Sequence, residues 1–187
     1  ALSVAGLTLL VVLASLRGSA RLVVSVAVYG TPQVLLYLAS TLYHAIQHDG
    51  AKRVLKILDH AAIFLLIAGT YTPFTLISLR GPWGWSLFGT VWGLAAVGII
   101  FKLFFTGRYE GLSTGVYLLM GWIIAVALRP LTLALPAGGV VLLFLGGIAY
   151  SAGVIFYVQK RRYSHAVWHV FVIVGSLCHF FSVLFYV

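Results

Sequence analysis

Seven stretches of this chain are too long, too apolar and too closely spaced to be covered by anything but lipid. They run over residues 1–16, 22–47, 57–79, 83–105, 111–128, 136–158 and 164–187, joined by gaps of a few residues. A span needs roughly 20 apolar residues. In lipid the backbone must satisfy its own hydrogen bonds, which leaves helices or closed barrels. Barrel strands alternate over about ten residues; these runs are longer and do not alternate. The expected fold is therefore all-α: a single membrane domain over 1–187, built as a seven-transmembrane-helix bundle. Only 8% of residues are charged, against about 25% in a soluble domain.

The net charge of +9 does not point to nucleic acid, because the basic residues sit in the gaps. There they set topology and meet lipid headgroups. Lys52, Arg53, Lys56, Lys102, Arg108, Lys160, Arg161 and Arg162 follow runs two, four and six. Arg17, Arg21, Arg80 and Arg129 follow runs one, three and five. The eight outweigh the four, so the N-terminus is expected in the cytoplasm and the C-terminus outside. Run one is short for a span, so the natural N-terminus is expected to lie upstream. No cleavable signal peptide is expected, since no charged n-region precedes the apolar run. One cysteine, Cys178, excludes an internal disulfide. Gly89–Gly93 and Gly111–Gly115 are small-xxx-small pairs, expected to let helices pack closely. Pro32 and Pro73 predict kinks, with nearby hydroxyls meeting the freed carbonyls. Trp83 and Trp85 are expected as interfacial anchors.

Ionisable groups near a membrane interior are costly and invite a functional explanation. His165 and His169 lie at i and i+4 in SHAVWH, which puts both rings on one helix face. That spacing suits two ligands of one metal; interfacial histidines beside a basic loop would share it. Ser40 and His44 have the same spacing near the end of run two. His48 is expected to be solvated beside the Asp49-Gly50 turn. Asp59 opens run three, where a helix-start acid meets the positive end of the dipole; His60 points about 100° away. The charge count puts Ser40, His44, Asp59, His165 and His169 at one depth on the cytoplasmic side. Three imidazoles would leave one tetrahedral position open, as in catalytic rather than structural zinc, with a carboxylate beside it as general base. His179 lies about 15 Å deeper and is expected to be a buried, hydrogen-bonded histidine.

SxxxH at 40–44, LDHAAIFLLIAGTYTP at 58–73 and HAVWH at 165–169 closely resemble the hemolysin III family, which belongs with the progestin and adipoQ receptors. The resemblance covers essentially the whole chain. It implies seven helices with a cytoplasmic N-terminus and Zn2+ bound by His44, His165 and His169. It also implies that Asp59 holds the zinc water and that Ser40 is a polar partner that stabilises an oxyanion. The wider superfamily looks like the alkaline ceramidases, which hydrolyse a lipid amide. The implied function is a zinc-dependent intramembrane hydrolase of a lipid amide or ester. Its partners would be membrane lipids, without nucleic acid, in a bacterial inner membrane. The alternative is a sensor or regulator of membrane lipid state with structural zinc. A pore, which the family name suggests, needs polar residues along its length, whereas here they crowd one end.

Overall fold

A computed structural model describes residues 1–159 and 161–187; Lys160, counted above among the basic residues, lies outside them. The described residues contain helices and no strand. The α-helices are α1 (Leu2–Leu16), α2 (Ala20–Ala45), α3 (Asp49–Pro73), α4 (Gly81–Phe105), α5 (Glu110–Trp122), α6 (Leu128–Ala134), α7 (Ala137–Tyr157) and α8 (Ser164–Tyr186). A π-helical stretch, Phe74–Leu79, continues α3, and a 3-10 stretch, Ile123–Ala127, joins α5 to α6. Among the described residues six helical segments are long and apolar enough to cross a membrane, and Leu2–Leu16 is a shorter apolar helix. The chain is a multi-pass integral membrane protein.

Two expected gaps are helical. Residues 49–56, read above as a loop, form the first two turns of α3. Lys52, Arg53 and Lys56 break the apolar run, but they are good helix formers. His48 starts the helix, its Nδ1 accepting the Ala51 N–H at 3.3 Å. Asp59 is therefore well inside α3, and the helix-start explanation for it fails, because the dipole acts only over the first turn. Residues 129–134, also read as a gap, belong to α6, which completes a span from Glu110 to Ala134.

The chain forms two compact units, Ala1–Ile123 and Ile124–Val187. In the first, α2 and α3 meet where Pro32 packs on Gly69. Pro32 lacks the N–H that would bond the Val28 carbonyl. That carbonyl faces Gly69, where a Cβ would stand 2.9 Å from the oxygen. The hydroxyls of Thr72 on α3 and of Thr75 in the π-helical stretch donate to the carbonyls of Ala68 and Tyr71 at 3.1 and 2.9 Å. The π-helical stretch begins directly after Pro73. Gly98 of α4 admits the Phe64 ring, and Trp92 Nε1 donates to the Thr72 hydroxyl at 3.2 Å. Tyr71 ties α3 to the end of α5 through the carbonyls of Met120 and Gly121. Lys102, assigned above to an interfacial gap, is 1% exposed in α4.

In the second unit α7 and α8 pack antiparallel. Buried Gly139, Gly146 and Gly153 recur every seven residues on α7, which keeps them on one seam of a tightly packed pair. Each lets an α8 side chain reach the α7 backbone: Tyr186, His179 and Phe171 respectively. The expected pairs Gly89–Gly93 and Gly111–Gly115 do not pack this way. A Cβ at any of the four would meet nothing within 4 Å. Four-residue glycine spacing permits close approach but does not require it.

Candidate metal centre

In the second unit the site residues begin with a sharp entry into α8. Tyr163 precedes the helix in the left-handed region, at φ 69°. His165 and His169 follow on successive turns. Their Nε2 atoms lie 3.1 Å apart and the rings stand edge to face at 4.6 Å. Trp168 braces both, 5.3 Å from the His165 ring and 4.7 Å from the His169 ring. Trp168 is itself held against Tyr157 of α7 at 4.9 Å. The sequence reading did not single out Trp168. Its signal was its place in HAVWH, three residues after one histidine and one before the next. His165 is exposed and His169 half-buried, so both rings remain open to a ligand.

In the first unit Ser40 and His44 occupy the last two turns of α2, and Asp59 lies on α3. The Ser40 hydroxyl donates a hydrogen bond to the Asp59 carboxylate, and His44 is close enough to act on it electrostatically. Ser40 and Asp59 are buried, while His44 is exposed. His44 rests on the edge of Tyr43 at 4.9 Å. It also sits in the last turn of α2, where a helix favours positive charge. The structure thus brings Ser40, His44 and Asp59 together within one unit and His165 and His169 together within the other. These histidines are the imidazoles able to serve as metal ligands.

Of the other histidines, His179 has a structural place for its ring, whereas His60 contributes its backbone carbonyl. His179 is buried, as expected, with Nε2 donating to the Leu143 carbonyl at 3.0 Å. The His60 carbonyl accepts from the Tyr117 hydroxyl at 3.0 Å. The expectation that polar groups crowd one end needs correction. Ser25, Tyr29 and Gln33 are buried along α2, far from its His44 end. Single neutral residues inside an apolar run did not stand out as a pattern; their recurrence every four residues is the signal that was available.

A family model described as haemolysin-III related matches residues 1–180. The chain is 52% identical over 187 residues to Hemolysin-3 of Bacillus cereus, covering 100% of this chain and 85% of that protein. It is 51% identical over 186 residues to the Hemolysin-3 homolog of Bacillus subtilis (strain 168), covering 99% and 87%. A more distant relative is the human Monocyte to macrophage differentiation factor, 24% identical over 163 residues, or 83% of this chain and 67% of that one. No solved structure matches the chain significantly. The motif residues, the helical spans and a match over nearly the full length agree: this chain belongs to the haemolysin-III related family.

Proposed function

We propose that this chain is a zinc-containing membrane protein that hydrolyses a lipid amide or ester, with the metal held by His44, His165 and His169. The observation that carries the reading is the His165–His169 pair. Two nitrogens on one tetrahedral zinc, each about 2.0–2.1 Å from it, stand roughly 3.3 Å apart. The two Nε2 atoms are at 3.1 Å, so the pair fits with little movement. His44 supplies the third imidazole, at the end of α2 that the Lys and Arg count assigns to the same membrane side. The same count favours a cytoplasmic N-terminus, and the Bacillus relatives favour a bacterial inner membrane.

When bound, zinc would supply Lewis acidity, polarising a carbonyl and making water a stronger acid. The rest falls to the chain's own side chains. Asp59 is the general base: it takes the proton of the attacking water and returns it to the leaving amine or alkoxide. Ser40 holds one carboxylate oxygen of Asp59, which fixes the orientation of the other. Burial of this pair in an apolar segment excludes bulk water, and the lipid substrate enters from the surrounding bilayer.

The test is metal analysis of the purified chain, with hydrolysis of a ceramide and acyl-lipid panel as the second readout. About one zinc per chain is expected, lost in a His165→Ala, His169→Ala double variant. Asp59→Asn should keep the zinc and lose turnover by about 10²–10⁴-fold. No metal in a well-folded preparation would remove the basis of the proposal. Zinc without turnover on any lipid would replace it with the lipid-sensing alternative.

A further inference from the structure

The polar face of α2 has a property that neither zinc nor hydrolysis explains. Ser25, Tyr29 and Gln33 lie on three successive turns and are 0%, 0% and 7% exposed. Ser25 Oγ, Tyr29 Oη and Gln33 Nε2 are all buried without a hydrogen-bond partner. Gln33 and Tyr37 are near enough to act on the Tyr29 phenol, but Tyr29 Oη and Gln33 Nε2 do not align into a good bond. Buried polar groups in proteins are nearly always paired, with protein or with ordered water. In a membrane the demand is stricter, because no bulk solvent can substitute.

At 100° per residue, Ser25, Tyr29, Gln33, Ser40 and His44 fall within an arc of about 100°. Ser40, the hydroxyl on Asp59, lies at an azimuth between those of Tyr29 and Gln33. Ser40 lies about 10.5 Å beyond Gln33 along the helix, whereas Ser25, Tyr29 and Gln33 follow one another at about 6 Å. The shorter gap is closed by one molecule making two hydrogen bonds of about 2.8–3.0 Å. The exposed chemistry is neutral, with hydroxyls that donate and accept and an amide that donates. No charge calls for an ion. The fitting ligand is small, neutral and both donor and acceptor.

We propose that the Ser25–Tyr29–Gln33 face of α2 binds a file of ordered water molecules inside the membrane. The file runs toward Ser40 and gives the buried Ser40–Asp59 pair a hydrated route along α2. A buried water makes about three hydrogen bonds, and Ser25, Tyr29 and Gln33 offer a polar atom on each of three successive turns. The proposal stands on α2 alone and does not depend on the metal.

Hydroxyl-radical footprinting by X-ray pulses tests it directly, with the intact chain in lipid nanodiscs and the solvent as H2(18)O. Radicals formed from water held beside a buried side chain oxidise that side chain, and the isotope marks the source. Phe64 and Phe74 are the internal controls, being 2% and 1% exposed aromatics. The expected result is 18O labelling of Tyr29 at least about fivefold faster than of either phenylalanine, as bound water requires. Gln33→Leu should lower Tyr29 labelling by at least about half, since it removes a neighbouring water ligand. Tyr29 labelled no faster than Phe64 and Phe74 overturns the proposal. So does equal labelling of all three, which would mark general opening of the helices. Undiminished Tyr29 labelling in a folded Gln33→Leu protein overturns it as well.

Discussion

The α7–α8 seam and the buried face of α2 both place neutral polar side chains deep in an apolar protein, and they treat them in opposite ways. On the seam Ser182, His179, Tyr150 and Ser176 each make a bond to the protein, with only the second ring nitrogen of His179, Nδ1, left unbonded. Ser182 donates to the Gly139 carbonyl at 2.8 Å, His179 to Leu143 at 3.0 Å, and the Tyr150 and Ser176 hydroxyls meet at 2.7 Å. On α2 three successive polar groups make no such bond. The difference lies in the glycines. Gly139, Gly146 and Gly153 bring the α7 backbone within reach of α8 side chains, so carbonyls with a spare lone pair become acceptors. Ser25 Oγ, Tyr29 Oη and Gln33 Nε2 bond no such carbonyl. The first region uses polarity to join helices; the second leaves it available to a ligand.

The largest effect should come from closing the seam. Gly146→Ala places a methyl group inside the His179 ring and 3.1 Å from the Gly175 carbonyl. The ring must leave, taking its bond to Leu143 with it. The expected loss is about 3 kcal/mol, combining overpacking with a broken buried hydrogen bond. Gly89→Ala is the matched control, because its Cβ would enter open space. It should stabilise by about 0.5–1 kcal/mol, since alanine is the better helix former. Reversible unfolding in mixed micelles measures both. Equal losses at the two positions would mean that the seam is not the tight contact described.

Those two glycines also show what could be read from the chain alone. Gly89–Gly93 matched a known packing spacing, yet its packing depends on whether another helix comes near, which is a tertiary fact. Gly139, Gly146 and Gly153 carried the informative seven-residue repeat. The apolar runs located every span, because lipid imposes that pattern directly on sequence. The runs missed 49–56 and 129–134, where basic and proline residues interrupt an apolar stretch without interrupting the helix. His165 and His169 were legible because i and i+4 share a face. The Ser40–Asp59 bond was not, since it joins two helices and depends on how they pack. The brace from Trp168 to Tyr157 was hidden for the same reason.

A middle-sized effect separates glue from ligand on the seam itself. His179→Leu removes one interhelical bond but keeps most of the ring's volume. The Leu143 carbonyl it leaves behind sits within α7, where the helix ladder supplies a bond to each interior carbonyl. The loss should be about 1 kcal/mol, within the range measured for hydrogen bonds between membrane helices. The same variant should leave zinc content unchanged if His179 has only the structural place described. Loss of metal on His179→Leu would draw this histidine into the site and spoil the division between the two regions.

The smallest and sharpest comparison sets two serines of equal burial against each other. Ser25 and Ser182 are both 0% exposed, and Ser→Ala removes the same atom from each. Ser182 bonds a neighbouring helix directly, so Ser182→Ala should cost about 0.6 kcal/mol, the average for such bonds in membranes. Ser25 has no protein partner. If it only helps to hold water, Ser25→Ala should change stability by less than about 0.3 kcal/mol, because displaced waters can rebond to one another. Mixed-micelle unfolding of the two single variants resolves the ordering. A cost at Ser25 equal to or above that at Ser182 would mean that its hydroxyl joins helices as Ser182 does. The contrast between a polar face that binds the protein to itself and one that binds water would then fail at its first residue.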